Sequence, residues 1–202
     1  MRGGFLAVLT LAAACARGPE FARHEDPAGG FSAEVPSRWR RDGDKDLSRR
    51  PVAVVSFIGA VDAQDESVPL GAVIHVTRVS RLPSDQPAGG RRQAFIDAWI
   101  TPTEVLFGAS KDALKPELRA AVPARIDPAS LGGRPARTYQ RDYVHNNPIH
   151  MSAPVPMRLV DFVVKTDAAY FIVEYRATLK RFDEFHPAFE RFLKTFAFGP
   201  KA

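Results

Sequence analysis

Six stretches of the chain carry the pattern of β-strands. Each is enriched in β-branched and aromatic residues and is bounded by glycine, proline or aspartate. They are residues 31–35, 52–59, 71–80, 136–144, 157–165 and 169–177. A short link, 166–168, joins the last two, and Gly132-Gly133 marks a tight turn ahead of residue 136. Consecutive strands with short links predict an antiparallel sheet.

One helix is predicted near the C-terminus from the spacing of its phenylalanines. Between residues 182 and 196 they recur at intervals of 3, 4, 3 and 4, which places them within a helical arc of roughly 80°. The helix should begin near Asp183 to His186, because Pro187 is tolerated only in about the first turn. The stripe could face a membrane or a partner, but the charges opposite it are balanced. Packing on the sheet is therefore the preferred interpretation.

A second helical region is predicted over residues 91–108, with a break or kink near Thr101. An apolar arc runs through its first half, and Thr101-Pro102-Thr103-Glu104 then has the composition of a new helix start. In this interpretation Thr101 is the N-cap, Pro102 is the first helical residue, and Glu104 closes a capping box.

The N-terminus has the pattern of a targeting segment. Residues 1–14 hold one early arginine, a run of about ten apolar residues and closing alanines, and such a run is shorter than the roughly 20 residues that span a bilayer. The only cysteine, Cys15, follows directly. Cleavage ahead of Cys15 fits ordinary secretion. "LAAAC" also resembles the lipobox of bacterial lipoproteins, whose cysteine is acylated, with Ala12 where that family prefers leucine. The remaining alternative is that Cys15 is incidental.

This leader defines the expected organisation: a signal peptide over 1–14, a lipidated N-terminus and flexible tether over 15–30, and a single domain over 31–202. Without a second cysteine, the exported domain must be stabilised by a hydrophobic core instead of disulfides. The formal charge of +5 is mildly basic, which favours anionic surfaces but does not indicate nucleic acid.

The expected location is the bacterial cell envelope, with the chain lipid-anchored and facing the periplasm. Ala16 follows Cys15, and by resemblance to the enteric sorting rule a residue other than aspartate there favours the outer membrane. A soluble periplasmic or secreted protein is the alternative.

Three segments together resemble the PsbP-like family. "GGFSAEVPSRWRRD" (29–42) is similar to its opening strand and Pro-x-x-Trp, "DPASLGGRPARTYQ" (127–140) to its hairpin, and residues 170–198 to its closing strand and helix. The resemblance implies an α+β fold, an α-β-α sandwich with a central antiparallel sheet. It also implies a domain without shared catalytic residues, in a family whose members mostly bind other proteins.

The sequence contains no nucleophile elbow, Walker loop or dinucleotide-binding fingerprint. His145 and His150 lie close together, but no third metal ligand lies near them in sequence. We therefore expect no cofactor, no metal and no enzymatic activity. The open alternative is that carboxylates such as Asp161 and Glu174 meet on adjacent strands as an acid–base pair in a cleft.

A basic segment is the first candidate for partner binding. Residues 38–50 contain six basic side chains beside Trp39. Arg38, Arg40 and Arg41 could contact an anionic lipid or an acidic partner. The alternative is a solvated charged loop with Trp39 turned into the core.

A second candidate is the loop 146–156, which displays Ile149 and Met151 among prolines. The leading hypothesis is an exported lipoprotein whose non-catalytic domain binds a protein or an envelope component. It predicts membrane contact through the lipid anchor, a protein partner and no nucleic acid. The alternative is a small-ligand or lipid carrier with a pocket between sheet and helices.

Overall fold

The computed structural model describes residues 20–27, 30–45, 47, 50–59, 71–81, 90–120, 122–146 and 154–200. Within these ranges the chain forms one seven-stranded sheet, one three-stranded sheet and four α-helices.

The larger sheet is antiparallel throughout, as the short links predicted. Its strands are β3 (Arg40–Gly43), β4 (Val52–Ile58), β5 (Val73–Ser80), β6 (Asp127–Leu131), β7 (Arg134–His145), β8 (Val155–Lys165) and β9 (Ala169–Thr178). They lie in the order β3-β4-β5-β9-β8-β7-β6. Gly132 and Gly133 form the predicted turn between β6 and β7, with φ of +54° and +76°. These left-handed values favour glycine because it has no Cβ.

The smaller sheet consists of β1 (Phe21–Glu25), β2 (Phe31–Pro36) and β10 (Ala197–Phe198), with β2 in the centre. Here the structure differs from the prediction of a flexible tether over 15–30, because β1 lies inside that segment. Its five residues all pair with β2, from Phe21 opposite Pro36 to Glu25 opposite Ser32. The ring of His24 also packs on Phe57, with 4.9 Å between centroids. Ladder bonds and this aromatic contact hold the segment on the domain.

The C-terminal helix, α4 (Phe182–Thr195), packs its phenylalanine stripe against one face of the larger sheet. Phe189 and Phe192 are fully buried. The helix begins at Phe182, one residue before the predicted start near Asp183 to His186, and accommodates Pro187 inside the helix. Tertiary contacts hold this first turn: the buried Phe182 ring packs on Tyr175, whose hydroxyl donates to the Phe182 carbonyl at 2.7 Å.

The opposite face of the sheet is covered by the second helical region. It comprises α1 (Gly90–Phe95), a π-helical turn (Ile96–Ile100), α2 (Thr101–Val105), a 3-10 turn (Lys111–Ala113) and α3 (Pro116–Arg119). The π-helical turn directly before Thr101 is the irregularity that the sequence predicted. No helix among the residues described is long and apolar enough to span a membrane.

The predicted capping box in this region was wrong. Thr101 has helical angles and makes no side-chain cap, because the helix continues into it from the π-helical turn. The Glu104 side chain instead accepts hydrogen bonds from Lys165 at 2.8 Å and from the Tyr170 hydroxyl. These contacts fix α2 over β8 and β9.

Helices thus lie on both faces of a central antiparallel sheet. The predicted α+β class and the α-β-α sandwich are confirmed.

Candidate functional site

A line of polar side chains crosses five strands of the larger sheet. In the strand register Ser56 lies opposite His75, His75 opposite Glu174, Glu174 opposite Asp161, and Asp161 opposite Tyr139. Directly opposite residues of antiparallel strands have Cβ atoms about 4.5–5.5 Å apart. These five residues form a polar row in which each side chain is close enough to interact with the next.

Strand alternation puts the polar row on the face turned away from α4. Ile74 and Val76, on either side of His75 in β5, belong to the core that packs on α4, as do Val173 and Tyr175 on either side of Glu174 in β9. Successive side chains of a strand point to opposite faces, so the polar residues between them face the helical region 90–120.

Hydrogen bonds connect both ends of the polar row. Ser56 Oγ and His75 Nδ1 are 2.7 Å apart, and His75 Nε2 lies 3.9 Å from Glu174 Oε1. At the other end the Tyr139 hydroxyl donates to the Asp161 carboxyl group. Asp161 exposes only 3% of its surface, yet its Oδ1 atom has no hydrogen-bond partner. Leaving a buried acceptor without a partner costs free energy of folding. A proton bound at Oδ1 would remove that cost.

Burial sets the protonation of the polar row. Burial, with a smaller contribution from the nearby Glu174 carboxylate, raises the pKa of Asp161 from 3.8 to about 7. Burial also raises the pKa of Glu174, against the opposing charges of Arg176 and Arg141. The pKa of His75 is lowered to about 4, by burial first and by Arg176 second. Near neutral pH the row therefore holds a neutral imidazole, and both of its carboxyl groups keep their protons to a higher pH than ordinary carboxyl groups do.

Two cavities of about 290 and 390 Å³ lie between this face of the sheet and the helices. The polar cavity is bordered by His75, Asp161, Glu174, Thr77, Val54 and Arg176, and the apolar cavity by Ala98, Pro102, Thr103, Leu106, Leu118, Val122, Pro123 and Val163. Trp99, Tyr139, Arg141 and Ile172 line both. Because they share these walls, the cavities form one cleft with an apolar and a polar end.

Two arginines stand at the polar end of the cleft. Arg176 of β9 and Arg141 of β7 both lie opposite Leu159 of the intervening β8. Arg176 Nε is 3.8 Å from Glu174 Oε1, beyond hydrogen-bond distance, and it is buried without a hydrogen-bond acceptor. Its guanidinium also shares a hydrogen bond with the hydroxyl of Tyr143.

The residues predicted for partner binding do not line this cleft. Arg38, Arg40 and Arg41 are exposed at the edge of the larger sheet, where Arg41 donates to the Asp44 carbonyl at 2.7 Å. Trp39 is partly buried and packs edge-on against a phenylalanine of α4 at 6.1 Å.

Three other predicted positions, Cys15, Ile149 and Met151, lie outside the described residues. No group of three or more histidine, cysteine or carboxylate side chains in the described part of the chain could hold a metal ion.

Most of the cleft was missed at the level of sequence. Asp161 and Glu174 were named as carboxylates that could meet, and they are direct register partners. His75 and Arg176 were not singled out, although each lies inside a central strand at a position that faces away from the α4 core. Polar residues in the interior of a central strand were the available signal.

No protein-family model matches the chain, and no curated protein does. Among solved structures, the chain is similar to the cyanobacterial PsbP (CyanoP) of Synechocystis sp. PCC 6803, with 13% identity, 93% of this chain and 98% of that chain covered, and a TM-score of 0.47. It is also similar to LpqN of Mycobacterium tuberculosis, described as involved in cell envelope biogenesis, with 12% identity, 90% and 91% covered, and a TM-score of 0.38. We draw no function from likenesses this remote.

Proposed function

We propose that the domain binds a small amphipathic molecule of the bacterial envelope, without transforming it, in the cleft between the sheet and the helical region 90–120. The observation that carries this proposal is the union of the apolar and polar cavities behind Trp99. The sequence placed a protein partner first and a small-ligand carrier second. The cleft favours the carrier.

The dimensions and chemistry of the cleft suit such a molecule. Ligand sites usually enclose about 300–1,000 Å³, with mostly apolar walls and a few convergent polar groups. The two cavities lie at the lower end of that range. Trp99 leaves 39% of its surface exposed at the wall that they share. An apolar ligand body would cover this surface while its polar group meets the polar row.

The polar row is better suited to holding a ligand than to nucleophilic chemistry. Ser56, His75 and Glu174 follow one another as in a hydrolytic triad, but Ser56 is buried and does not line either cavity. The lowered pKa of His75 also makes it a weak base near neutral pH. These features support the prediction that the domain is not an enzyme.

Binding is tested by titrating the full chain with 1-octanol and following tryptophan fluorescence and heat. Phenylalanine in place of Ala98, an exposed residue on the wall of the apolar cavity, should fill that cavity and weaken binding by about tenfold, or about 1.4 kcal/mol. Ala94→Phe adds the same ring at an exposed position of α1 that does not line the cleft. Equal binding in both variants, or no saturable binding in the unmodified chain, would refute the proposal.

We also propose that Cys15 carries acyl chains such as palmitate, which hold the domain at a bacterial membrane facing the periplasm. The resemblance to the sorting rule favours the outer membrane. One chain anchors only marginally at about 0.8 kcal/mol per methylene, so firm attachment needs more than one. The test is the intact mass of the protein recovered from native membranes, beside a Cys15→Ala variant. An unmodified Cys15 would contradict lipidation without affecting the cleft.

The basic edge supports a second candidate function, contact with an anionic membrane surface or an acidic partner. Arg38, Arg40 and Arg41 are all exposed there. Co-sedimentation with anionic vesicles should decrease when all three are replaced by glutamine, whereas neutral vesicles should show no difference. Unchanged co-sedimentation would remove these residues from the candidates.

A further inference from the structure

We propose that the cleft selects a ligand with one acidic head group, such as the carboxylate of a fatty acid, and that Arg176 and Arg141 bind this group at the polar end. The inference rests on the proposed function, because it names the class of ligand for the same cleft.

The first support is the placement of the two guanidinium groups. Arg176 and Arg141 occupy alternate strands of the sheet at the same register position, with Leu159 between them, and both line the polar cavity. Arg176 Nε is buried without an acceptor. Guanidinium groups bind planar carboxylates through paired N–H donors, so a carboxylate here would supply the missing acceptor.

The second support is the charge balance around the polar cavity. The two arginines contribute two positive charges, and burial raises the pKa of both Asp161 and Glu174, which reduces the negative charge that opposes the arginines. His75 is neutral near pH 7 because its pKa is lowered to about 4. The polar end therefore carries an excess of positive charge, which an anionic group would reduce.

Two acidic groups of the covering helices are each paired with a lysine. Asp97 of the π-helical turn is paired with Lys115 at 3.1 Å, and Glu104 of α2 is paired with Lys165 at 2.8 Å. Each pair has no net charge. The phenol of Tyr139 stays protonated, because burial and the Asp161 carboxylate raise its pKa. It therefore remains a neutral donor beside the arginines.

The raised pKa of both carboxyl groups gives the inference a second consequence. An anion placed near Asp161 and Glu174 favours their protonated forms, so binding of an acid should be accompanied by proton uptake. Affinity for an acidic ligand should therefore increase when the pH is lowered from about 8 to about 6. Affinity for an uncharged ligand of the same length should change little.

The experiment compares octanoate, 1-octanol and octylammonium on the full chain by calorimetry. Octanoate should bind about tenfold more tightly than octanol, and Arg141→Gln and Arg176→Gln should each abolish that preference while octanol binding persists. Arg137→Gln is the matched control, because Arg137 lies on the same strand as Arg141 but outside the walls of both cavities. It should retain the preference.

The other outcomes separate this inference from the proposed function. If octanol binds as tightly as octanoate, or octylammonium binds most tightly, the cleft is an amphiphile site but the anionic head group is refuted. If none of the three binds, the proposed function fails and the inference fails with it. Arg141 is exposed, so its replacement tests the head group even if the Arg176 variant does not fold.

Discussion

Asparagine in place of Asp161 would show how much the buried proton contributes to stability. In the folded chain Asp161 holds its proton up to about pH 7, whereas an unfolded chain releases it near the ordinary pKa of 3.8. Between these values the folded state binds more protons than the unfolded state, so this group lowers the free energy of unfolding as the pH rises. At about 1.4 kcal/mol per pKa unit, the loss across the window is about 4 kcal/mol.

The Asp161→Asn variant lacks this loss, because a neutral amide does not titrate. Its free energy of unfolding, relative to that of the unmodified chain, should therefore increase by about 4 kcal/mol as the pH rises from about 4 to about 8. His75 acts in the opposite direction: its pKa is lowered to about 4, so its contribution to stability increases as the pH rises toward 6.5. Because His75 is present in both proteins, this contribution cancels in the difference.

The assay is urea unfolding followed by circular dichroism at several pH values, with the difference in free energy of unfolding plotted against pH. Asp142→Asn is the control. Asp142 is exposed and accepts hydrogen bonds from Arg158 at 2.7 and 2.8 Å, which lower its pKa. Its replacement should lower the free energy of unfolding above about pH 4 and have less effect in acid. The difference from the unmodified chain should therefore change with pH in the opposite direction. A difference for Asp161→Asn that does not change with pH would refute the raised pKa of Asp161.

Three further substitutions test the packing that supports the cleft, each by urea unfolding. Phe189→Ala empties a fully buried position of α4 and should cost about 3–5 kcal/mol; a cost below about 1 kcal/mol would contradict its place in the core. Tyr175→Phe removes the donor to the buried Phe182 carbonyl and should cost about 1–3 kcal/mol, and no cost would mean that the carbonyl finds another donor. Gly132→Ala should destabilise the chain more than Gly133→Ala. Both glycines have positive φ, but only at Gly132 would a Cβ come within 2.8 Å of an aromatic ring of β10. Equal costs would contradict that close approach.

The elements with a strong local pattern could be predicted from the sequence. The β6–β7 turn was predicted because Gly132-Gly133 is compatible with left-handed backbone angles. The α4 stripe was predicted because its phenylalanines repeat with the helical period. In both cases the information lies within a few neighbouring residues. The PsbP-like resemblance then supplied the sandwich that these elements form.

The features that depend on distant residues could not be predicted. The early start of α4 depends on Tyr175, and the behaviour of Glu104 depends on Lys165 and Tyr170. β1 depends on the ladder with β2. The polar row depends on the register of five strands, and a shift of one residue in any strand would turn its polar side chain to the other face. The short link 166–168 sets the register of β8 with β9, but no such link joins β5 to β9.

The polar row also has a kinetic consequence. The step that unites its two halves is the pairing of β5 with β9, which brings His75 to Glu174 from opposite halves of the chain. Such non-local contacts form slowly, because the loop between them must close before the pairing compensates the lost entropy. A partly folded chain with only its local hairpins has no complete cleft. A ligand would therefore stabilise only the fully assembled sheet, by an amount that grows with the logarithm of its concentration over its dissociation constant, and its binding could be used to time the last stage of folding.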